Sequence, residues 1–295
     1  MKKIMSKIDK IIWQAKYGKS RNWLEIKKTL ENGIKQFPQA TELYLELGKL
    51  FQYKKLYKKA INTYQKALAT DPHNDEIKFK IGNCFLFLRE YKLALDYYLK
   101  IENDIPEFYY NKAYAYSKLG KLTIAADIIK KLISFNINSE IPYLFLAELS
   151  FNMGKYNDTI KYVTIAEKRF GAKPTKFYLR GLAYYHQKIW LKAYLEFQNA
   201  AKMKFTSPQF YRIYGITCEK VGKSKEAEDN LLYSIKLAPY DPISYIELIK
   251  VYLAHDKILE AYNIIKYAKE TSISSFPLQI LKNQILKKME EKNRK

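Results

Sequence analysis

Glycine, proline, cysteine and histidine are all scarce in this chain of 295 residues: 10, 9, 2 and 3 respectively. So little glycine and proline leaves few places for a linker, which favours one elongated array over two domains joined by a flexible segment. The two cysteines, Cys84 and Cys218, lie in apolar, helix-like surroundings and belong to neither a CxxC pair nor a metal-ligand spacing. A reducing compartment is the expectation. With His73, His186 and His255 spread over different parts of the chain, no convergent set of acid, base and nucleophile is visible. The sequence has no paired-histidine metal motif, and GAKPTK at 171–176 lacks the spacing of a phosphate loop. The expectation is a protein that is not an enzyme and needs no cofactor or metal.

Long apolar runs are also missing. Nothing approaches the roughly 18 uninterrupted residues of a membrane span, and Lys7, Asp9 and Lys10 interrupt the N-terminal segment before a signal-peptide core could form. A soluble, cytoplasmic chain is expected. Disorder is excluded, because 48% of residues are hydrophobic and 27 Tyr, 15 Phe and 3 Trp can bury a large area.

What the chain does contain is a pattern. Tyr44, Leu47, Gly48 and Phe51 follow i, i+3, i+4, i+7, and Tyr57, Ala60, Tyr64 and Ala67 mark a second helical face. Gln52–Lys55 offers a polar turn between them, and Pro72 ends the second helix at Asp71. The small residues Gly48 and Ala60 are read as the point where two antiparallel helices cross. From Ala60 the small position recurs at Ala94, Ala125, Thr159, Ala193, Ala227 and Ala261, a step of 34 everywhere except for 31 between Ala94 and Ala125. Gly48 starts a parallel series of Gly82, Ala113, Ala147, Gly181, Gly215 and Ile249 in the same phase. Turn glycines Gly120, Gly154 and Gly222 fall between the paired helices. One hairpin cannot bury its apolar face alone, so the repetition implies a stacked array.

The 34-residue helix-turn-helix with an aromatic, Leu-Gly, Tyr, Ala, Tyr, Ala and Pro resembles the tetratricopeptide repeat (TPR) family. That resemblance implies an all-α fold, a right-handed α-solenoid of TPR repeats closed by a C-terminal capping helix. The expected units are a degenerate N-terminal repeat at 1–40, full repeats at 41–74, 106–139, 140–173, 174–207, 208–241 and 242–275, a shortened one at 75–105, and a capping helix with a basic tail at 276–295. The three missing residues predict that the second helix of the shortened repeat ends near Ile101–Asn103, with a change of local twist.

The resemblance also implies a concave groove lined by the first helix of each repeat. Its positions give Lys49 and Tyr53; Phe79, Asn83 and Phe87; Tyr110, Asn111 and Tyr114; Phe145 and Phe151; and Tyr178 and Tyr185. Of the pattern by which one TPR subclass grips the C-terminal carboxylate of chaperones, only Asn83 and Asn111 are present. Phe79 replaces the first lysine, and Ile141 and Phe145 stand where the last cations belong, which argues against that ligand. An aromatic groove suits an extended or helical protein segment with apolar anchors. The net charge of +22 is uneven, with 15 Lys/Arg against 5 Asp/Glu in residues 1–60, so a partner with acidic flanks is favoured. The leading expectation is therefore a scaffold or adaptor. Two alternatives are RNA or other nucleic-acid binding through basic ends and tyrosines, and self-association through the groove. Against nucleic acid stand the excess of Lys over Arg and a charge that lies apart from the central aromatic zone.

Overall fold

In a computed structural model, which describes residues 6–18, 22–271, 273 and 275–293, the described residues form seventeen α-helices and no strand. The first five residues of the N-terminal segment and the last two of the basic tail lie outside the described residues. The helices divide into two compact units, Met1–Asn138 and Ser139–Lys295. Unit 1 runs α1 (Lys7–Tyr17), α2 (Trp23–Gln36), α3 (Thr41–Tyr53), α4 (Tyr57–Thr70), α5 (Asp75–Phe87), α6 (Tyr91–Tyr98), α7 (Pro106–Lys118) and α8 (Leu122–Ser134). Unit 2 runs α9 (Ile141–Asn152), α10 (Tyr156–Phe170), α11 (Pro174–His186), α12 (Trp190–Lys202), α13 (Pro208–Lys220), α14 (Ser224–Leu237), α15 (Pro242–Ala254), α16 (Ile258–Glu270) and α17 (Phe276–Asn293). Each unit is an all-α solenoid of helical hairpins. No described helix is long and apolar enough to cross a membrane.

The tight turn inside each of the seven hairpins from α3 to α16 has one geometry. A residue at positive φ (Lys55, Arg89, Gly120, Gly154, Lys188, Gly222 or Asp256) follows the first helix. The next amide then donates to the carbonyl five residues back, as Leu56 does to Phe51 and Lys121 to Tyr116, closing the helix end with a Schellman bond.

Packing across the six hairpins from α3 to α14 is set by a notch and a knob sixteen residues apart, whereas α15–α16 has Ile249 and Ile265 at these two positions. A methyl group on Gly48 would overlap the ring of Tyr64, and one on Gly82 the ring of Tyr98. At Gly181 it would lie 2.5 Å from Phe197, and at Gly215 2.7 Å from Leu231. Where the first residue is alanine the equivalent partner is a β-branched aliphatic rather than a ring: Ile129 for Ala113 and Val163 for Ala147, all four buried. The degenerate hairpin has its own version, since Gly33 sits against Ile11 and Leu43. At the far end, Leu278 and Ile285 of α17 are buried in the unit 2 core, with Leu281 packed against it.

The shortened repeat departs from expectation. Helix α6 ends at Tyr98, three residues before the predicted Ile101–Asn103. The reason is Asp75 at the start of α5, whose Oδ2 accepts hydrogen bonds from the backbone amides of Glu102 and Asn103 and from the Asn103 side chain. These bonds pull the chain out of helical geometry. Asp75 is buried together with Lys78, which donates to its other oxygen at 3.0 Å. Burial raises the Asp75 pKa, but the donors from Asn103, Lys78 and Glu102 outweigh it and hold the carboxyl below its usual range. Unit 2 has a comparable lock in Lys176. Fully buried, it is ion-paired with Glu140 and donates to the carbonyls of Ala166 and Gly171 at the end of α10. The second lysine of GAKPTK thus closes a helix.

Two outcomes follow. Gly48→Ala should destabilise the chain by about 1–3 kcal/mol through overpacking, and Gly48→Ala with Tyr64→Ile, the pairing used at Ala113 and Ile129, should cost less than the two single changes added together; thermal unfolding of the four proteins measures the coupling. Because the folded pKa of Asp75 is depressed, its contribution should be complete above the unfolded carboxyl value of about 4 and should fade as pH falls below it. Asp75→Asn should remove about 3 kcal/mol at neutral pH by leaving Lys78 buried without its counter-charge. It should also flatten the acid limb of a stability-against-pH curve, and adding Lys78→Met should recover part of the loss.

Candidate binding site

In unit 1 the first helices α1, α3, α5 and α7 are bridged to one another by side chains. Lys16 reaches Glu46 at 3.1 Å, and Lys49 pairs with the same Glu46 oxygen at 3.1 Å and with Glu76 at 3.7 Å. Lys49, expected as a groove cation, is therefore shared between two carboxylates. One repeat further on, Phe79 lies half-buried with its ring 4.6 Å from Phe108 and 5.8 Å from Tyr98.

Asn83 and Asn111 come together. The Tyr98 hydroxyl donates to Asn83 Oδ1 at 2.6 Å, and Asn111 Nδ2 donates to the same oxygen at 2.8 Å. Tyr98 is held under Gly82, and burial raises its phenol pKa, so it stays a donor. Both lone pairs of the Asn83 oxygen are then used, which fixes the rotation of both amides. Among the described residues neither the Asn83 amide group nor the Asn111 carbonyl oxygen has a further partner. The result is a fixed donor beside a fixed acceptor. Tyr110 and Tyr114 are half-buried on the same helix as Asn111, and the Lys118 ammonium lies 5.0 Å from the Tyr114 ring centre. Tyr53 and Phe87, the last residues of α3 and α5, are 79% and 55% exposed.

The predicted groove residues of unit 2 have a different fate. Phe145 is 9% exposed, which corrects its reading as an accessible anchor. Helix α9, IPYLFLAELSFN, is apolar around most of its circumference and buries Tyr143, Phe145, Leu146 and Leu149 together. Phe151 packs edge-on to Tyr156 and His186, and Tyr185 packs edge-on to Trp190. Tyr178 lies 4.8 Å from Phe205 and 5.8 Å from Phe210. Burial raises the phenol pKa of Tyr178 and of Tyr185, with Glu247 adding to the latter. Much of the central aromatic zone is thus spent on packing.

Chemistry at the remaining polar groups is limited. His255 Nε2 lies 2.9 Å from Ser224 Oγ and 2.9 Å from Glu219 Oε1. In a hydrolytic relay the carboxylate orients the ring through the opposite nitrogen, so here Glu219 and Ser224 compete for one atom. Burial pushes the thiols of Cys84 and Cys218 up to about 12, far from a reactive thiolate. Among the described residues no group of three His, Cys, Asp or Glu could hold a metal ion. Sequence reasoning missed Tyr98; its spacing of sixteen from Gly82 was the available signal.

Residues 45–108 and 106–136 each match a family model of the tetratricopeptide repeat. Residues 45–136 therefore carry tetratricopeptide repeats. The fold of the chain is similar to that of the C-terminal part of a TPR repeat-containing protein from Cytophaga hutchinsonii, with TM-score 0.65 and 18% identity, covering 80% of this chain and 98% of that one. A chain of the APC/C hetero-tetramer Cut9–Hcn1 superposes with TM-score 0.57 and 16% identity over 95% of this chain, which spans about half (54%) of that chain's length. YrrB, a TPR protein with an unusual peptide-binding site, gives TM-score 0.53 and 18% identity over 59% of this chain and 91% of its own. No curated protein matches the sequence.

Proposed function

We propose that this chain is a non-enzymatic interaction scaffold that holds an extended peptide segment across the α5–α7 face of unit 1. The observation that carries this reading is the locked amide pair. A peptide unit presents one carbonyl and one N–H. The Asn83 amide group donates to the first and the Asn111 oxygen accepts from the second, and both are already oriented by Tyr98. Orientation before binding lowers the entropic cost of association. Phe79 and Tyr114 supply apolar contact on either side, and the Lys118 ammonium over Tyr114 favours an acidic residue in the ligand. The peptide-binding site named for YrrB, a fold neighbour, supports the ligand class. Lys49, Tyr110, Phe151, Tyr178 and Tyr185 are secondary in this reading, because each is tied to neighbours or belongs to the other unit.

A random-peptide phage library panned on the whole protein, followed by calorimetric titration of the enriched peptides, tests the proposal. Asn83→Ala with Asn111→Ala should weaken binding by about 10–30-fold, the loss of two ordinary hydrogen bonds, with an unchanged circular dichroism spectrum. Enriched peptides that bind the double variant as tightly as the parent, or a library that yields none, would overturn it.

A further inference from the structure

We infer that the turn edge of unit 1 is a second binding surface, distinct from the amide face, whose ligand is a single-stranded nucleic acid. In an array of antiparallel hairpins the tight turns within hairpins fall along one edge and the connections between hairpins along the other. The charges of unit 1 are sorted between these edges. On the connection edge Asp75, Glu76 and Asp104 are each paired with a lysine: Lys78, Lys49 and Lys131. On the turn edge stand Lys54, Lys55, Lys58 and Lys59 at the first tight turn, Arg89 at the second and Lys121 at the third. All six are exposed, and none has a carboxylate within 4.0 Å among the described residues. The acid at these three turns is Glu90. Lysines placed for solubility alone would leave this edge without apolar rings.

Rings are present at each turn. Tyr53 is 79% exposed, with the Lys54 ammonium 5.4 Å from its ring centre. Phe87, 55% exposed, stacks on Tyr57 with centres 5.0 Å apart and planes 9° from parallel, which joins the first turn to the second. At the third turn Lys121 lies 5.9 Å from the Tyr116 ring centre. Sequence alone suggested that charge and aromatics keep apart; at the first two turns of this edge exposed rings and cations without a carboxylate partner coincide, and at the third a cation lies beside the half-buried Tyr116. A polyanion that also carries flat, stackable groups satisfies both features. Phosphates displace counterions from the lysines, and bases stack on the rings without a sequence-specific hydrogen-bond code. An anionic membrane interface also takes up cations and rings, so vesicles form one arm of the test; the flat Phe87–Tyr57 stack favours a base as the next ring, and a duplex keeps its bases out of reach.

Fluorescence anisotropy of the whole protein with labelled oligouridylate and oligothymidylate, across a range of salt concentrations, provides the test. Binding should weaken as salt rises. Lys54→Gln with Lys58→Gln and Lys59→Gln should flatten the log K against log salt slope by about 2, close to 0.7 for each phosphate contact removed. Tyr53→Ser, at a position too exposed to support the fold, should cost about fivefold or more at fixed salt while leaving that slope unchanged. Asn83→Ala should leave nucleic-acid binding as it is, so this surface and the amide face fail or survive separately. The inference is overturned if neither oligonucleotide binds at low salt, if a duplex of equal length binds as well and Tyr53→Ser is silent, or if phosphatidylserine vesicles sediment the protein while oligonucleotides do not compete.

Discussion

The contact between a first-helix glycine and the ring sixteen residues later governs the rest of unit 1. Gly48 and Gly82 leave notches that the rings of Tyr64 and Tyr98 fill, so each hairpin closes to a separation that no larger side chain would permit. Closing also delivers a hydroxyl. Tyr64 passes beneath Gly48 and places its oxygen 3.2 Å from Gln52, and Tyr98 passes beneath Gly82 and donates to Asn83. One side chain thus packs the hairpin and orients an amide on the exposed first-helix face. In unit 2 the same knob is Phe197 or Leu231, which fills the notch and delivers no hydroxyl. The polarity of the first-helix face is therefore set by which large residue a repeat uses as its knob.

This explains what could be read from the sequence. The helix pairs, their phase and the places of Gly48, Ala60 and Pro72 are legible because packing demands a small residue at a fixed spacing, and a demand that recurs in every repeat leaves a period. Asn83 and Asn111 were legible as positions on the first-helix face, but their lock by Tyr98 was not, since it depends on where a ring from the second helix emerges. Phe145 was misplaced for a related reason. The repeat frame puts it on the open face, yet α9 is so apolar that its neighbours cover it. The end of α6 was misjudged because counting residues shows only that a turn is missing, whereas Asp75, which captures Glu102 and Asn103, decides where the helix stops.

Charge sorting in unit 1 has a thermodynamic side. The pairs Asp75–Lys78 and Asp104–Lys131 engage two of the acids on the connection edge, and the donors around Asp75 outweigh the effect of its burial. With the carboxylates engaged there, the lysines of the turn edge repel one another with little local compensation. Screening keeps that cost small at ordinary salt, and a polyanion would convert it into attraction. A surface built this way gains association rate as well as affinity.

Repeat arrays tolerate such division because each hairpin touches chiefly its neighbours, so stability is a sum of local terms. The notch and knob fix the hairpin, the αL residue fixes the turn, and the positions between them answer to neither. Asn83 lies on the exposed face of α5, and Arg89 lies beyond its end, in the turn. They lie six positions apart, yet they point to different surfaces. Two ligands can therefore be served by one hairpin without a compromise in packing. Neighbours that share this fold at 15–18% identity can differ at these positions without disturbing the repeat, because packing does not constrain them.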